Sequence, residues 1–441
     1  MKRLQSQVIE LAWPAVLHGL LVTVVLFTDR LILGNYRDDA LASMQVCGPV
    51  LWSLFALFGA YGAGLLAVIG RAFGAKDVTR VQSALGSGFL IALAAGTTIG
   101  VVGYLTRDTI TTMVATGDAA TLSVRGLAST YMGIVLLASP LQMLGSAATV
   151  SLQGLGDTRT PMLVAIASGA TNLILSLVLV FGYLGLPALG IKGAAIGTVA
   201  SFAINAVALY WVLITRRDGY RLGYPSIRTI KRIFRVAGPA FGEKAVFHTA
   251  YLIFAIFIGH LGTEAMTAHQ ALMAIESLGF IGAGAFGVAA GALVAQKLGA
   301  DRPEDAVQAG HISARLGIIC LSVVAVILFV GARPLVGMFT DNAAVIDLGA
   351  TCLRIAAIAQ PLMAITDVYA GALRGAGDTK TPMIAALGGP VLVRLTACYL
   401  LAYTCGLGLV GIWIGSTLDW LVRAIYLYVM FRRGHWKTIR V

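Results

Sequence analysis

Asp29 lies in LLVTVVLFTDRLILGNY, a carboxylic acid within a run of apolar residues. A charge in hydrocarbon costs at least ~2.5–3.5 kcal/mol unless it is paired or hydrated. An acid kept at that cost is a candidate for proton loading or sodium coordination, because desolvation raises a carboxylate's proton affinity and hard ions take oxygen ligands. The competing account is a local charge pair near the interface, with Arg30 turned to the headgroups. The second half of the chain is richer in such residues: Glu243, Lys244 and His248 in one apolar stretch, Glu276 in the next, then Asp367, Arg394, and Asp419 with Arg423. Asp419 and Arg423 are four apart, so on a helix they share a face and neutralise each other. Glu243 and Lys244 are adjacent and point ~100° apart on a helix, so each needs its own partner or a watery cavity. Glu243, Glu276, Asp367 and Arg394 are candidates for lining a substrate cavity, weighed against simply bracing helices. His18 ranks below them, since a lone His on an apolar helix is more often a hydrogen-bonded structural group than a proton carrier.

The elements that must position these groups follow from composition. With 58% hydrophobic and 12% charged residues and a mean hydropathy of +0.86, the 441 residues leave too few polar groups to coat a soluble globule. Twelve apolar stretches can each cross ~30 Å of hydrocarbon as a helix: 8–33, 44–70, 83–105, 127–152, 162–184, 190–214, 233–260, 268–295, 309–332, 348–373, 383–405 and 407–431. If the N-terminus is inside, the inner segments hold 22 of the 32 Lys and Arg residues and the outer ones six: Arg37, Arg107, Arg125, Lys192, Arg333 and Arg354. Basic residues in short loops stay cytoplasmic, so both termini are expected there. The excess charge of +12 sits beside membrane ends, where anionic lipid attracts it, and needs no nucleic acid to explain it. The opening MKRLQSQVIELAWPAV does not read as a cleaved signal, because its apolar stretch continues as a full span. The five cysteines are scattered without metal-ligand spacing.

The chain also repeats itself. LQGLGDTRTPM at 152–162 returns as LRGAGDTKTPM at 373–383, 221 positions on, and an offset of 225 pairs Pro14 with Pro239, Gly34 with Gly259 and Gly74 with Gly299. Two six-helix units result, 1–214 and 233–441, joined by a basic linker at 215–232. Six is even, so the copies are parallel repeats related by an axis along the membrane normal. Small residues at matching positions of the second and eighth spans let helix backbones approach closely. In the repeated GDTxTP, Gly with Asp makes a tight turn, Thr160 and Thr381 are expected to cap the next helix, and Pro161 and Pro382 to take its first position. Pro14 and Pro239 are expected in the first turns of their helices, and Pro140 and Pro361 as interior kinks.

The paired GDTxTP turns, the stretch AMTAHQALMAIESLGFIGAGAFGVAAGALVAQKLGA from 265 and the closing GIWIGSTLDWLVRAIYLYVMFRRGHW from 411 resemble the multidrug and toxic compound extrusion family, DinF-type branch. The resemblance spans essentially the whole chain. It implies an all-α polytopic fold, twelve transmembrane helices as two parallel six-helix repeats in a V-shaped two-lobe bundle, and export of organic compounds driven by proton or sodium entry. Asp29 matches the first-span acid that the family uses for coupling. On span 5 the family often has Asn and, four residues later, Asp; this chain has Asn172 but Ser176. Thr198 matches a hydroxyl lining the same site. One carboxylate with Asn, Ser and Thr oxygens still suits a small cation, so Asp29, Asn172 and Thr198 are candidate sodium ligands, whereas a proton shared between two acids is put in doubt.

The function expected from these readings is secondary antiport: export of amphipathic, often cationic organic compounds in exchange for H+ or Na+ by alternating access in the inner or plasma membrane. No cofactor, no nucleic acid and no obligate protein partner are expected. No GxxxxGK loop points to ATP, and no HExxH-like spacing points to an intramembrane enzyme. A flippase for lipid-linked precursors is the alternative; it would be expected to hold phosphates in a basic cavity, and the cavity candidates here are mixed to slightly acidic.

Overall fold

Twenty or more apolar residues in a row satisfy their backbone within lipid only as a helix, and the computed structural model is built almost entirely of helices. It describes residues 2–114, 119–216 and 219–439. Arg217 and Arg440, counted above among the inner cations, lie outside the described residues. In the first half run α1 (Lys2–Tyr36), α2 (Asp38–Phe58), α3 (Tyr61–Gly74), α4 (Val78–Val114), α5 (Ala119–Leu137), α6 (Ser139–Gly154), α7 (Arg159–Phe181) and α8 (Ile191–Thr215). In the second run α9 (Ile227–Gly259), α10 (Thr263–Gly299), α11 (Pro303–Val330), the short α12 (Ala332–Gly337), α13 (Ala343–Ala376), α14 (Lys380–Ala386), α15 (Thr396–Tyr399) and α16 (Gly408–Arg433). Among the described residues eleven spans are long and apolar enough to cross a membrane, and α5 with α6, bent by 54°, makes the twelfth. Each expected stretch falls on one span. Most helices overrun the expectation, as α10 does 268–295, because hydrophobicity marks where lipid ends and not where backbone hydrogen bonding ends.

Several local expectations change. α1 and α9 begin well before Pro14 and Pro239, so these prolines sit inside long helices and not in first turns. Pro140 opens α6 just after the bend, while its repeat partner Pro361 lies within the unbroken α13. The turn is capped by Asp, not Thr: Asp157 Oδ1 accepts from Thr160 N (3.0 Å) and its Oδ2 from Thr160 Oγ1 (2.8 Å), and Asp378 does the same for Thr381 (3.1 and 2.7 Å). The reason is position, since α7 and α14 already start at Arg159 and Lys380 and the threonines are in the first turn; Pro161 and Pro382 are third residues, not first. Gly156 and Gly377 take φ of +83° and +89°, closing the preceding helices with bonds from Asp157 N to Leu152 O and from Asp378 N to Leu373 O. The eleventh span departs from its repeat partner α7: Leu387–Leu395 and Leu400–Thr404 are π-helical around α15. Pro390 lacks the N–H that an α-turn would use, and GlyGly before it lets the backbone widen.

The described contacts divide into two compact units, one of Leu17–Leu65 and Asp77–Ile233, the other of Met1–Val16, Leu66–Lys76 and Phe234–Val441. Within the second unit glycine brings backbones together. A Cβ on Gly371 or Gly375 would stand 2.2 or 2.1 Å from the carbonyls of Gly287 or Gly291, so α10 and α13 approach through small-xxx-small pairs. Gly74 and Gly299, the repeat partners named above, likewise meet the backbones of Gln296 and Arg71. Arg71 also donates to the C-terminal carbonyl of α13, Ala376 O, at 2.9 Å.

Candidate ion-binding site

Asp29 lies seven residues before Tyr36, the last residue of the 35-residue apolar helix α1, and a carboxylate there needs hydrogen-bond donors from neighbouring helices. They come from α7 and α8. Asn172 and Ser176 are four apart on α7 and therefore on one face; Asn172 Nδ2 lies 3.5 Å from Asp29 Oδ2, and Ser176 Oγ donates to Oδ1 at 3.3 Å. Thr198 on α8 donates to Oδ2 at 3.5 Å, and Asn172 Nδ2 is 3.4 Å from Thr198 Oγ1. Gly197 makes the approach: a Cβ there would stand 2.4 Å from Ser176 Oγ and 3.1 Å from the Asn172 carbonyl. The tight contact of α8 on α7 continues at Gly193, against the Leu179 carbonyl.

The cluster is largely buried, and its side chains other than the acid are uncharged. Asp29 is 3% exposed, and Asn172 and Ser176 are fully buried. Arg30 is exposed and makes no ion pair with Asp29 among the described residues. Bonds of 3.3–3.5 Å are longer than the usual 2.7–3.2 Å, so the carboxylate is held loosely. Asn172 Oδ1 is buried without a hydrogen-bond partner among the described residues, an acceptor left over beside the acid. Asp29 brings two oxygens and Asn172, Ser176 and Thr198 one each, donor types that a hard monovalent cation takes, and the same acid can instead take a proton. Sequence reasoning passed over Tyr131 of α5, whose hydroxyl meets Thr198 Oγ1 at 3.2 Å. The available signal was a tyrosine inside an apolar span, whose hydroxyl must find a partner there.

The second-tier residues fall elsewhere. His18 shares α1 with Asp29, eleven residues and ~16 Å away along the axis. Glu243 is ion-paired to Arg374 on α13 at 2.7 Å. Asp367, half-buried on α13, lies among the charges of Arg374, Arg423, Lys244 and Glu243. Asp419 is fully buried and doubly paired, to Arg423 by two bonds of 2.7 and 2.8 Å and to Arg394 NH2 at 2.7 Å. Gly389, in the π-helical segment, gives them room, for its Cβ would stand 2.2 Å from Asp419 Oδ1. Arg423 stacks over Trp420 at 3.9 Å, and Glu276 is buried on α10 within the field of Arg394. The expected pair Asp419–Arg423 is therefore part of a larger group that also takes in Arg394.

A family model described as MatE matches residues 14–178 and 239–400, one stretch in each repeat. The chain is 28% identical over 437 residues to a "Probable multidrug resistance protein NorM" of Thermotoga maritima, covering 98% of this chain and 93% of that one. It is 28% identical over 437 residues to a "Multidrug resistance protein NorM" of Burkholderia vietnamiensis, covering 97% and 93%. Its fold is similar to a structure described as the outward-facing conformation of a multidrug resistance MATE family transporter of the MOP superfamily, with a TM-score of 0.88, 21% identity and 98% and 95% coverage. It is also similar to a MATE in the straight conformation, with a TM-score of 0.90, 19% identity and 98% and 96% coverage.

Proposed function

The chain belongs to the MatE family, and from that premise we propose that it is a multidrug efflux antiporter exporting amphipathic, often cationic organic compounds in exchange for H+ or Na+. As a member of that family it is an integral membrane transporter and not an enzyme. The observation that carries the coupling proposal is the buried carboxylate of Asp29, met by Asn172 Nδ2, Ser176 Oγ and Thr198 Oγ1 and with no basic partner among the described residues. An acid without a counter-ion is stable in such a place only when it holds a proton or a cation, so loading and release at Asp29 is a step that an ion gradient can drive. Ser176 makes the site a single-acid one, which suits one proton or one sodium ion and leaves nothing for a second carboxylate to share. The repeats 1–214 and 233–441, with the linker 215–232, are the parts proposed to exchange access between the two sides. The bias of basic residues supports cytoplasmic termini in the inner or plasma membrane.

The test is efflux of a fluorescent cationic dye from proteoliposomes under an imposed proton gradient and then a sodium gradient. One gradient should drive efflux by the native protein, and Asp29→Asn should abolish the driven component while leaving the protein folded. Efflux that persists unchanged in Asp29→Asn removes Asp29 from coupling. Dye that stays put under both gradients, with a phosphorylated lipid crossing instead, replaces export by lipid flipping.

A further inference from the structure

Two acids and two guanidinium groups lie in the interior of the second compact unit, and they are shared unevenly. Asp419 holds both cations, Arg423 by two bonds and Arg394 at 2.7 Å. Glu276 is 4% exposed and has neither a hydrogen bond nor an ion pair among the described residues. Its direction is set by α10, where Glu276, Gly279, Phe280 and Ala283 stand at i, i+3, i+4 and i+7 on one face. Phe280 and Ala283 pack with Ala359 and Met363 of α13 and with Trp420 of α16, so that face looks into the bundle. Gln360 follows Ala359 and lies against Gly279, where a Cβ would run into its Oε1. Gln360 is fully buried, and neither its Oε1 nor its Nε2 has a hydrogen-bond partner among the described residues. An orphaned amide thus stands three residues, ~4.5 Å along α10, from an orphaned acid. Arg394 Nε is likewise buried without a partner among the described residues.

We propose that Glu276 is a proton-binding site separate from Asp29, with Gln360 and Arg394 positioning its two charge states. Its part in ion coupling rests on the antiport reading above; proton binding itself does not. Protonated, the carboxyl donates its O–H to Gln360 Oε1 and accepts from Nε2, and no other charge state serves both amide atoms, since a carboxylate has no hydrogen to give. Ionised, it draws Arg394, in whose field it already lies, and that guanidinium can leave Asp419 because Arg423 stays there with both bonds. The uneven sharing in this structure is that of the protonated state. A metal ion at this place would face the Arg394 guanidinium, whereas a proton leaves the acid neutral beside it. Of the other charged or titratable groups on the surrounding elements, His269 sits two turns before Glu276 on α10, against Trp413, and Asp367 and Arg374 lie further along α13. Arg354 on α13 is exposed, and Arg333 on α12 pairs with Asp347. α9 brings Glu243, held by Arg374, with Lys244 and His248, and α11 carries none from Leu316 to Val330. The proton comes from water on one side of the membrane and returns to water on the other.

The experiment is infrared difference spectroscopy of the whole chain in lipid, titrated between acid and alkaline pH, with glutamate isotope-labelled at its side-chain carboxyl. The chain has five glutamates, and Glu276 alone is buried without a partner among the described residues. One labelled carbonyl band of a water-shielded acid should therefore appear on the acid side and vanish on the alkaline side, which decides proton binding on the native chain whether or not any variant folds. Glu276→Gln should remove the band, and Gln360→Leu should keep it but move it to higher wavenumber, because the carbonyl loses its hydrogen bond. A band that ignores the label, persists in Glu276→Gln or stays in place in Gln360→Leu would overturn the proposal. For coupling, the readout is the steady dye gradient that proteoliposomes build under a proton gradient of about one pH unit. Glu276→Gln should lower it at least about tenfold, the factor that one coupled proton supplies. An unchanged gradient would remove Glu276 from coupling. No dye movement by the native protein would overturn the antiport reading instead, and the band would still decide on Glu276.

Discussion

Asp29 and Asp419 are both aspartates buried in apolar spans, and their neighbours set them to different tasks. Asp419 has two guanidinium groups within 2.7 Å, and Asp29 has none among the described residues. Removing one member of a buried ion pair leaves its partners uncompensated, at a cost of about 3–5 kcal/mol, more than replacing the whole group with apolar residues. Asp419→Asn is thus expected to lower the thermal midpoint in detergent clearly, because Arg394 and Arg423 then repel each other 8–10% exposed in an apolar interior. Asp29→Asn, by contrast, replaces an acid whose contacts are all neutral with an isosteric amide that can keep them, and the midpoint is expected to stay within a few degrees of native. Differential scanning fluorimetry on both variants checks the contrast; equal losses would mean that Asp29 braces the fold as Asp419 does.

At the scale of elements, the two repeats share a plan but not its execution. Backbone-to-backbone packing of α10 on α13 tolerates no side chain at Gly375, where even a Cβ would lie 2.1 Å from the Gly291 carbonyl and neither backbone can yield cheaply. Gly375→Val should therefore reduce folded yield and thermal midpoint severely. Gly284→Ala, on α10 with nothing near its Cβ, should leave both close to native and serves as the comparison in size-exclusion chromatography. The paired GDTxTP turns were legible in the sequence down to their glycines, since a helix that ends in a left-handed residue calls for one. Which residue caps was not legible, because Asp and Thr at i and i+3 both suit the role and only the first residue of the helix decides between them. The bend at Ala138 before Pro140 and the π-helical course from Leu387 were likewise unreadable, since Pro361 and Pro390 show that the same residue type permits several outcomes.

For the whole molecule, an even number of spans would put both termini on one side, and the bias of 22 basic residues against six makes the cytoplasmic side the expected one. In a cysteine-free background, Gly219→Cys should react with a membrane-impermeant maleimide only after cells are opened, and Met338→Cys, 79% exposed beyond α11, should react in intact cells. The reverse pattern would invert the orientation. Hydrophobic length, repeat offset and charge bias are properties of the chain read along its own axis, and they determined the span count, the duplication and the family resemblance. Placing Asp29, Asn172, Ser176 and Thr198 in one site drew on that resemblance, because the residues come from three helices 143 and 26 positions apart. Only tertiary packing decided that Tyr131 joins them, that Arg394 turns to Asp419, and that Leu66–Lys76 belongs to the same compact unit as Phe234–Val441. The physical reason is that periodicity tells which face of a helix is apolar, whereas partners across helices depend on rotation and approach, which are set by where glycine lets two backbones touch.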